Sequence, residues 1–218
     1  MTDPNQRTRD TRVGPDLATA SVVVIGLHGR DQGPDMIEEA VVNLTADPTV
    51  AWLLPFAAGG SWYPHPFDDP SEENEAAVER SVVRLNNLVD SIGIARRHVV
   101  IIGFSQGACL ACEFVARNPT RWGGLVAFTG GLMGPAGTHR EIADELHGTP
   151  VVLSAGELDP WIAPDAVRSS GLTFERAGAA VTTEVIPADA DHRIRPREID
   201  QLRRVINAAR RPGDGGNT

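Results

Sequence analysis

Val99-Val100-Ile101-Ile102-Gly103-Phe104-Ser105-Gln106-Gly107-Ala108 is the stretch on which the reading of this chain turns. Four β-branched residues in a row, with no polar alternation, read as a strand covered on both faces, and such strands belong to parallel sheets flanked by helices. G-x-S-x-G follows at 103–107, and after it a run of small residues suited to a closely packed helix. A strand that turns sharply into a helix at a serine lifts the hydroxyl above the sheet, and glycines on either side leave room for backbone that a Cβ would block. The first N–H groups of the new helix then face the space in front of that hydroxyl. As a bare pattern G-x-S-x-G is weak, and its position between an apolar strand and a helix is what gives it weight.

Outward from this segment, short β-branched runs bounded by Gly or Pro alternate with longer amphipathic stretches. Strands are predicted at 21–27, 50–54, 98–103, 124–128, 150–154 and 181–186, and helices at 35–46, 71–92, 106–117, 140–146, 164–177 and 196–210. That alternation is the signature of βαβ units, so the fold class is α/β, with a mostly parallel central sheet and helices on both faces. Val78, Val82, Leu85 and Val89 recur at three and four, giving one buried helical stripe, and Ser71 ahead of Glu72, Glu73 and Glu75 marks a helix start. Segments 55–70 and 129–140 leave the carboxyl ends of strands, where open parallel sheets bind their ligands.

The 218 residues fit a single domain, expected over 13–211 between flexible tails at 1–12 and 212–218. Twenty Lys and Arg against 29 Asp and Glu give a formal charge of −9, which disfavours nucleic acid and anionic lipid as partners. No apolar run approaches the ~18 residues of a membrane span, so no stable membrane insertion is expected. Arg7, Arg9 and Arg12 ahead of an apolar run look superficially like a secretory signal. Interspersed Asp3, Asp10 and Asp16 and the absence of a small-residue cleavage site argue against it, and a cytoplasmic location is expected.

A serine nucleophile needs a base and an orienting acid, and behind an elbow of this kind they follow in the order Ser, acid, His. Of the six histidines three lie after Ser105, and His139 and His147 precede the strand ending at Ser154, which leaves His192. Asp159, just beyond that strand, is the expected acid, with Glu157 two residues upstream as the alternative. Two N–H donors for an oxyanion are expected at Gln106 and at Arg30, the latter in the loop after the first strand, with neighbouring His28 as a structural buttress. Trp62, Tyr63, Phe67, Leu132, Met133, Trp161 and Ile162 fall on loops at the same end and offer an apolar wall for an acyl or aryl group. Cys109 and Cys112 form a C-x-x-C inside the helix behind the elbow, where packing explains them better than redox chemistry, and no metal site is read. Arg30, Arg193 and Arg195 lie on two loops at this end and together would make a local positive field, but Arg30 is expected rather to turn outward and pair with Asp31 or a neighbouring carboxylate.

Leu27-His28-Gly29, Ser61-Trp62-Tyr63-Pro64 with Phe67, Gly103-Phe104-Ser105-Gln106-Gly107, Thr129-Gly130-Gly131, Asp159-Pro160 and His192 together resemble the phospholipase/carboxylesterase family of small α/β-hydrolases. The group includes acyl-protein thioesterases and bacterial carboxylesterases. The resemblance runs from about Gly14 to Ile206, and the Trp-Tyr loop combined with Phe-Ser-Gln is its most specific part. It implies a minimal α/β-hydrolase fold without a cap domain. It also implies Ser105, Asp159 and His192 as catalytic triad, with the backbone N–H groups of Arg30 and Gln106 as oxyanion hole. The expected activity is cleavage of a small-molecule carboxylic ester or thioester through an acyl-enzyme, with no cofactor. Alternatives are acyl transfer or lactone hydrolysis with the same triad, and a non-catalytic ligand-binding relative. A homodimer is left open. The chain departs from the family's usual residues with Arg30 where thioesterases often have Leu, Glu157 where Asp is common, and Asp191 where Gly usually precedes the histidine.

Overall fold

The computed structural model describes residues 9–135 and 140–211. Seven strands form one sheet in the order β1-β3-β2-β4-β5-β6-β7: β1 (Thr11–Val13), β2 (Val22–Leu27), β3 (Val50–Leu54), β4 (Val99–Phe104), β5 (Gly124–Phe128), β6 (Pro150–Gly156) and β7 (Ala180–Ile186). All neighbours pair in parallel except β1, which runs antiparallel to β3 with Val13 opposite Trp52.

The near-continuous apolar strands have the cause the sequence suggested. Val23, Ile25 and Leu27 of β2 and Val99 and Ile101 of β4 face one core, where α3 (Glu72–Ile92), α4 (Gln106–Arg117) and α5 (Pro164–Arg176) pack. Val22 and Val24, with Val100 and Ile102, face the opposite core. There α6 (Pro196–Ala209) packs beside a bent first helix, in which α1 (Pro34–Ile37) passes through a π-helical turn, Glu38–Val42, into α2 (Asn43–Thr45). Each residue of the central strands therefore gains apolar burial whichever way it points. The α3 stripe lies against the first core, and Ser71 caps that helix by accepting from the Asn74 N–H.

Two expectations are corrected. The segment 140–146 forms no helix: Glu113 holds the Arg140 guanidinium, the Leu146 N–H bonds to Ala177 O, and that of Gly148 bonds to Gly178 O. Tertiary partners thus take the groups a two-turn helix would have used, and so short a helix has little stability of its own. Residues 11 and 12 belong to β1 rather than to a tail, and Asp10 accepts from the Phe56 N–H and pairs with Arg84. The strand expected at 181–186 forms as β7, a half-exposed edge of the sheet. The remainder of the expected tails, 1–8 and 212–218, lies outside the described residues, as does His139.

Candidate active site

β4 delivers Ser105 into the elbow. Its φ of 54° and ψ of −118° are a conformation an L-residue rarely adopts, held by its own N–H to Phe128 O and by α4, which starts at the next residue. The turn is this tight because Gly107 has no side chain: a Cβ there would lie 2.3 Å from Leu27 O and 2.5 Å from His28 O. The elbow is thereby pressed against the end of β2, and the loop carrying Arg30 sits beside it.

Ser105 Oγ lies 2.8 Å from His192 Nε2, and His192 Nδ1 lies 2.8 Å from Asp159 Oδ2. The Asp159 side chain is fully buried, and its Oδ1 accepts from the N–H groups of Trp161 and Ile162, both at 2.9 Å. A carboxylate only accepts, so the proton between it and the imidazole sits on Nδ1, leaving Nε2 free to accept from the serine hydroxyl. Glu157 is exposed and takes the Ala188 N–H instead, so it does not face the imidazole.

Among the described residues, no backbone carbonyl bonded outside the helices and strands takes the N–H of Arg30 or Gln106. The Gln106 side chain has a task the sequence reading missed. It is buried, its Oε1 accepts from the Trp62 N–H and its Nε2 donates to Tyr63 O, so one amide locks the Trp-Tyr loop to the elbow. His28 is the buttress expected of it. The Ala57 N–H donates to its Nε2, its carbonyl accepts from the Trp62 indole, and burial lowers its pKa.

A cleft of about 500 Å³ opens above Ser105 and His192. Of the expected apolar residues, Tyr63, Phe67, Trp161 and Ile162 line it, and Trp161 is 71% exposed. Trp62, Leu132 and Met133 do not. Trp62 is buried beside the His28 ring, the Leu132 N–H bonds to Ser170 and that of Met133 to Glu113, which draws this loop toward the helices behind the cleft. Cys109 also lines the cleft, one helical turn after Ser105, and burial pushes its thiol up to about 11. Cys112 is likewise free and buried.

Among the described residues, neither the arginine field nor the outward ion pair of Arg30 is formed. Arg30 reaches the cleft but donates to Pro64 O and His65 O at 2.8 and 2.7 Å, above the Tyr63 ring, and does not pair with Asp31. Arg193 pairs with exposed Asp191, and Arg195 is only 5% exposed and pairs with Asp189. Among the described residues no group of three or more His, Cys, Asp or Glu is placed to hold a metal, and no helix is long and apolar enough to cross a membrane.

Residues 18–209 match the phospholipase/carboxylesterase family. The chain belongs to that family. The crystal structure of a phospholipase/carboxylesterase from Dyadobacter fermentans DSM 18053 is 30% identical with a TM-score of 0.81, over 93% of this chain and 98% of that one. Acyl-protein thioesterase 1 of Schizosaccharomyces pombe is 25% identical over 179 residues, 74% of this chain and 78% of that protein. A 2-hydroxy-6-oxononadienedioate/2-hydroxy-6-oxononatrienedioate hydrolase from Dechloromonas aromatica is 31% identical over 123 residues, 56% of this chain. The chain spans less than half the length of two curated relatives it matches, 46% and 40%. The fold is accordingly that of a small α/β-hydrolase of the esterase and thioesterase type, with no separate cap domain among the described residues.

Proposed function

We propose that this family member is a serine hydrolase that cleaves a small carboxylic ester or thioester through an acyl-enzyme. The observation that supports it is the hydrogen-bonded line Ser105 Oγ, His192 Nε2, His192 Nδ1, Asp159 Oδ2, ending on a strained elbow at the floor of a cleft. As substrate carbonyl carbon approaches, His192 Nε2 takes the hydroxyl proton and Ser105 Oγ forms the new C–O bond. Charge moves onto the former carbonyl oxygen, to which the N–H groups of Arg30 and Gln106 donate, the second backed by the positive end of α4. Collapse breaks the bond to the alcohol or thiol, which leaves with the proton from His192. Water then repeats the two steps and frees the acid. Buried Asp159 keeps the imidazole in the required tautomer and stabilises its cation. Tyr63, Phe67, Trp161 and Ile162 give the cleft a largely apolar wall, which favours a small acyl or aryl group.

Two measurements test the reading together. A fluorophosphonate is expected to label Ser105 stoichiometrically, and Ser105→Ala to lose both labelling and turnover of nitrophenyl and thioester substrates while keeping its thermal midpoint. Turnover by Ser105→Ala within tenfold of the parent enzyme would overturn it.

A further inference from the structure

His192 sits on a loop, and a loop alone would not keep an imidazole within hydrogen-bond distance of two partners on different elements. The backbone carbonyls on either side of it, Asp191 O and Arg193 O, accept from Arg195 Nη2 at 2.7 Å and Nη1 at 3.1 Å. The third edge of the same guanidinium, Nε, donates to Asp189 Oδ2 at 2.8 Å. Behind it lies Glu198, fully buried, 3.6 Å from Nη1, which also accepts from the Arg195 N–H and from the Ser154 hydroxyl of β6. Asp189 ties the loop to the acid. Its carbonyl accepts from the Leu158 N–H, next to Asp159, and its carboxylate accepts from the Asp191 N–H. Gly156 permits this approach, since a Cβ there would lie 2.4 Å from Asp189 O and 3.2 Å from Arg195 Nη2.

We propose that Arg195 is a positioning residue for His192, its buried fork fixing the two peptide carbonyls that flank the imidazole and holding the histidine loop against the acid loop. The proposal rests on the assignment of Ser105, His192 and Asp159 above. A planar guanidinium with donors on three edges suits this geometry, whereas an ammonium is a point donor that cannot span both carbonyls and the Asp189 carboxylate. The charged groups around His192 are Asp159, exposed Asp191 with its Arg193 partner, and Arg30 and Asp31 across the cleft. Arg195 is the buried cation of the set, with Asp189 and Glu198 beside it.

The test is steady-state kinetics of the full chain with a nitrophenyl ester between about pH 5 and 9, for the parent enzyme, Arg195→Met and Arg195→Lys, with circular dichroism giving the folded amount. Arg195→Met is expected to lower kcat on the order of 10- to 100-fold with KM within about twofold, because binding is intact and alignment is lost. Arg195→Lys is expected to lose kcat as well, because it restores charge and not the fork. A folded Arg195→Met with kcat within about threefold of the parent overturns the proposal. Should Arg195→Met not fold, parental kcat in Arg195→Lys overturns it equally. Fluorophosphonate labelling separates the two readings. A labelled parent with unaffected Arg195 variants removes only Arg195, whereas a parent that does not label at Ser105 removes the triad and Arg195 with it.

Discussion

Arg30 is proposed to act through both backbone and side chain, and the two parts are separable. The N–H is assigned to the oxyanion, while the guanidinium holds Pro64 O and His65 O and lies over Tyr63, so it shapes the wall of the cleft. With the fork engaged on carbonyls, the side chain acts on loop geometry more than on substrate charge. Arg30→Leu is therefore expected to raise KM roughly threefold to tenfold with kcat little changed, since a wall that binds ground and transition states alike affects KM alone. Matched neutral and carboxylate-bearing esters at low and high salt check this. A variant that loses selectively on the anionic ester would show that the guanidinium reads charge. Asp159 and Glu157 give a second contrast. Asp159→Asn puts an amide where the acceptor for Nδ1–H must be and is expected to cost up to about 10⁴ in kcat. Glu157→Gln keeps an acceptor for the Ala188 N–H and is expected to cost little, and the opposite ranking would transfer the acid role to Glu157.

At the level of elements, the active end is made by the meeting of β2, β4 and α4, and Gly107 is the point of closest approach. Gly107→Ala would drive a Cβ into two backbone oxygens that cannot rotate away, so it is expected to destabilise by at least about 2 kcal/mol and to cost activity beyond the folded fraction lost. Urea unfolding beside activity per folded molecule checks both parts. A parental transition midpoint would mean the loop after β2 yields more easily than its contacts suggest. The same close packing explains what could be read from the chain. Central strands are legible because burial on both faces removes polar alternation, as in Val99–Phe104, and the elbow is legible because its glycines and serine are needed at fixed spacing. Segment 140–146 misleads because its composition suits a helix while its partners, Glu113, Ala177 and Gly178, are remote in sequence. β1 is three residues long and depends on β3 for its pairing, so no local pattern announces it. At the site, Tyr63, Phe67, Trp161 and Ile162 reach the cleft, while Trp62, Leu132 and Met133 from the same loops do not. Which side of a loop faces a cleft is set by bonds such as Gln106 to Trp62, and in the sequence only the Trp62-Tyr63 and Phe104-Ser105-Gln106 pattern that carries the family resemblance hints at that bond.

Across the whole molecule, the shifted carboxylates set how stability responds to pH. Asp189 is held down to about 2, first by the hydrogen bond from Arg195 and then by that from the Asp191 N–H. Asp69, bonded by Ser71, and Glu75, bonded by Arg117, are lowered too. Asp47 is lowered because its bonds to Thr49 and Arg210 together outweigh its burial. Each of these groups binds its proton more weakly when folded, so its contribution is present above the ordinary carboxylate value and is lost as pH falls through the folded one. Glu198 runs the other way. Burial raises its pKa despite Ser154 and Arg195, so its contribution is present below the ordinary 4.5 and is lost as pH rises through the folded value. These carboxylates should therefore make unfolding free energy climb from about pH 2 to the ordinary carboxylate range and decline gently above it, while His28, lowered by burial, adds a climb that completes only above its ordinary 6.5. Glu198→Gln carries no titratable group and should remove the decline while leaving the climb. Asp189→Asn should flatten the part of the climb between about 2 and the ordinary 3.8 and leave the upper limb alone. Urea unfolding of the three proteins at closely spaced pH values measures both limbs, and a decline that persists unchanged in Glu198→Gln would mean that another buried group causes it.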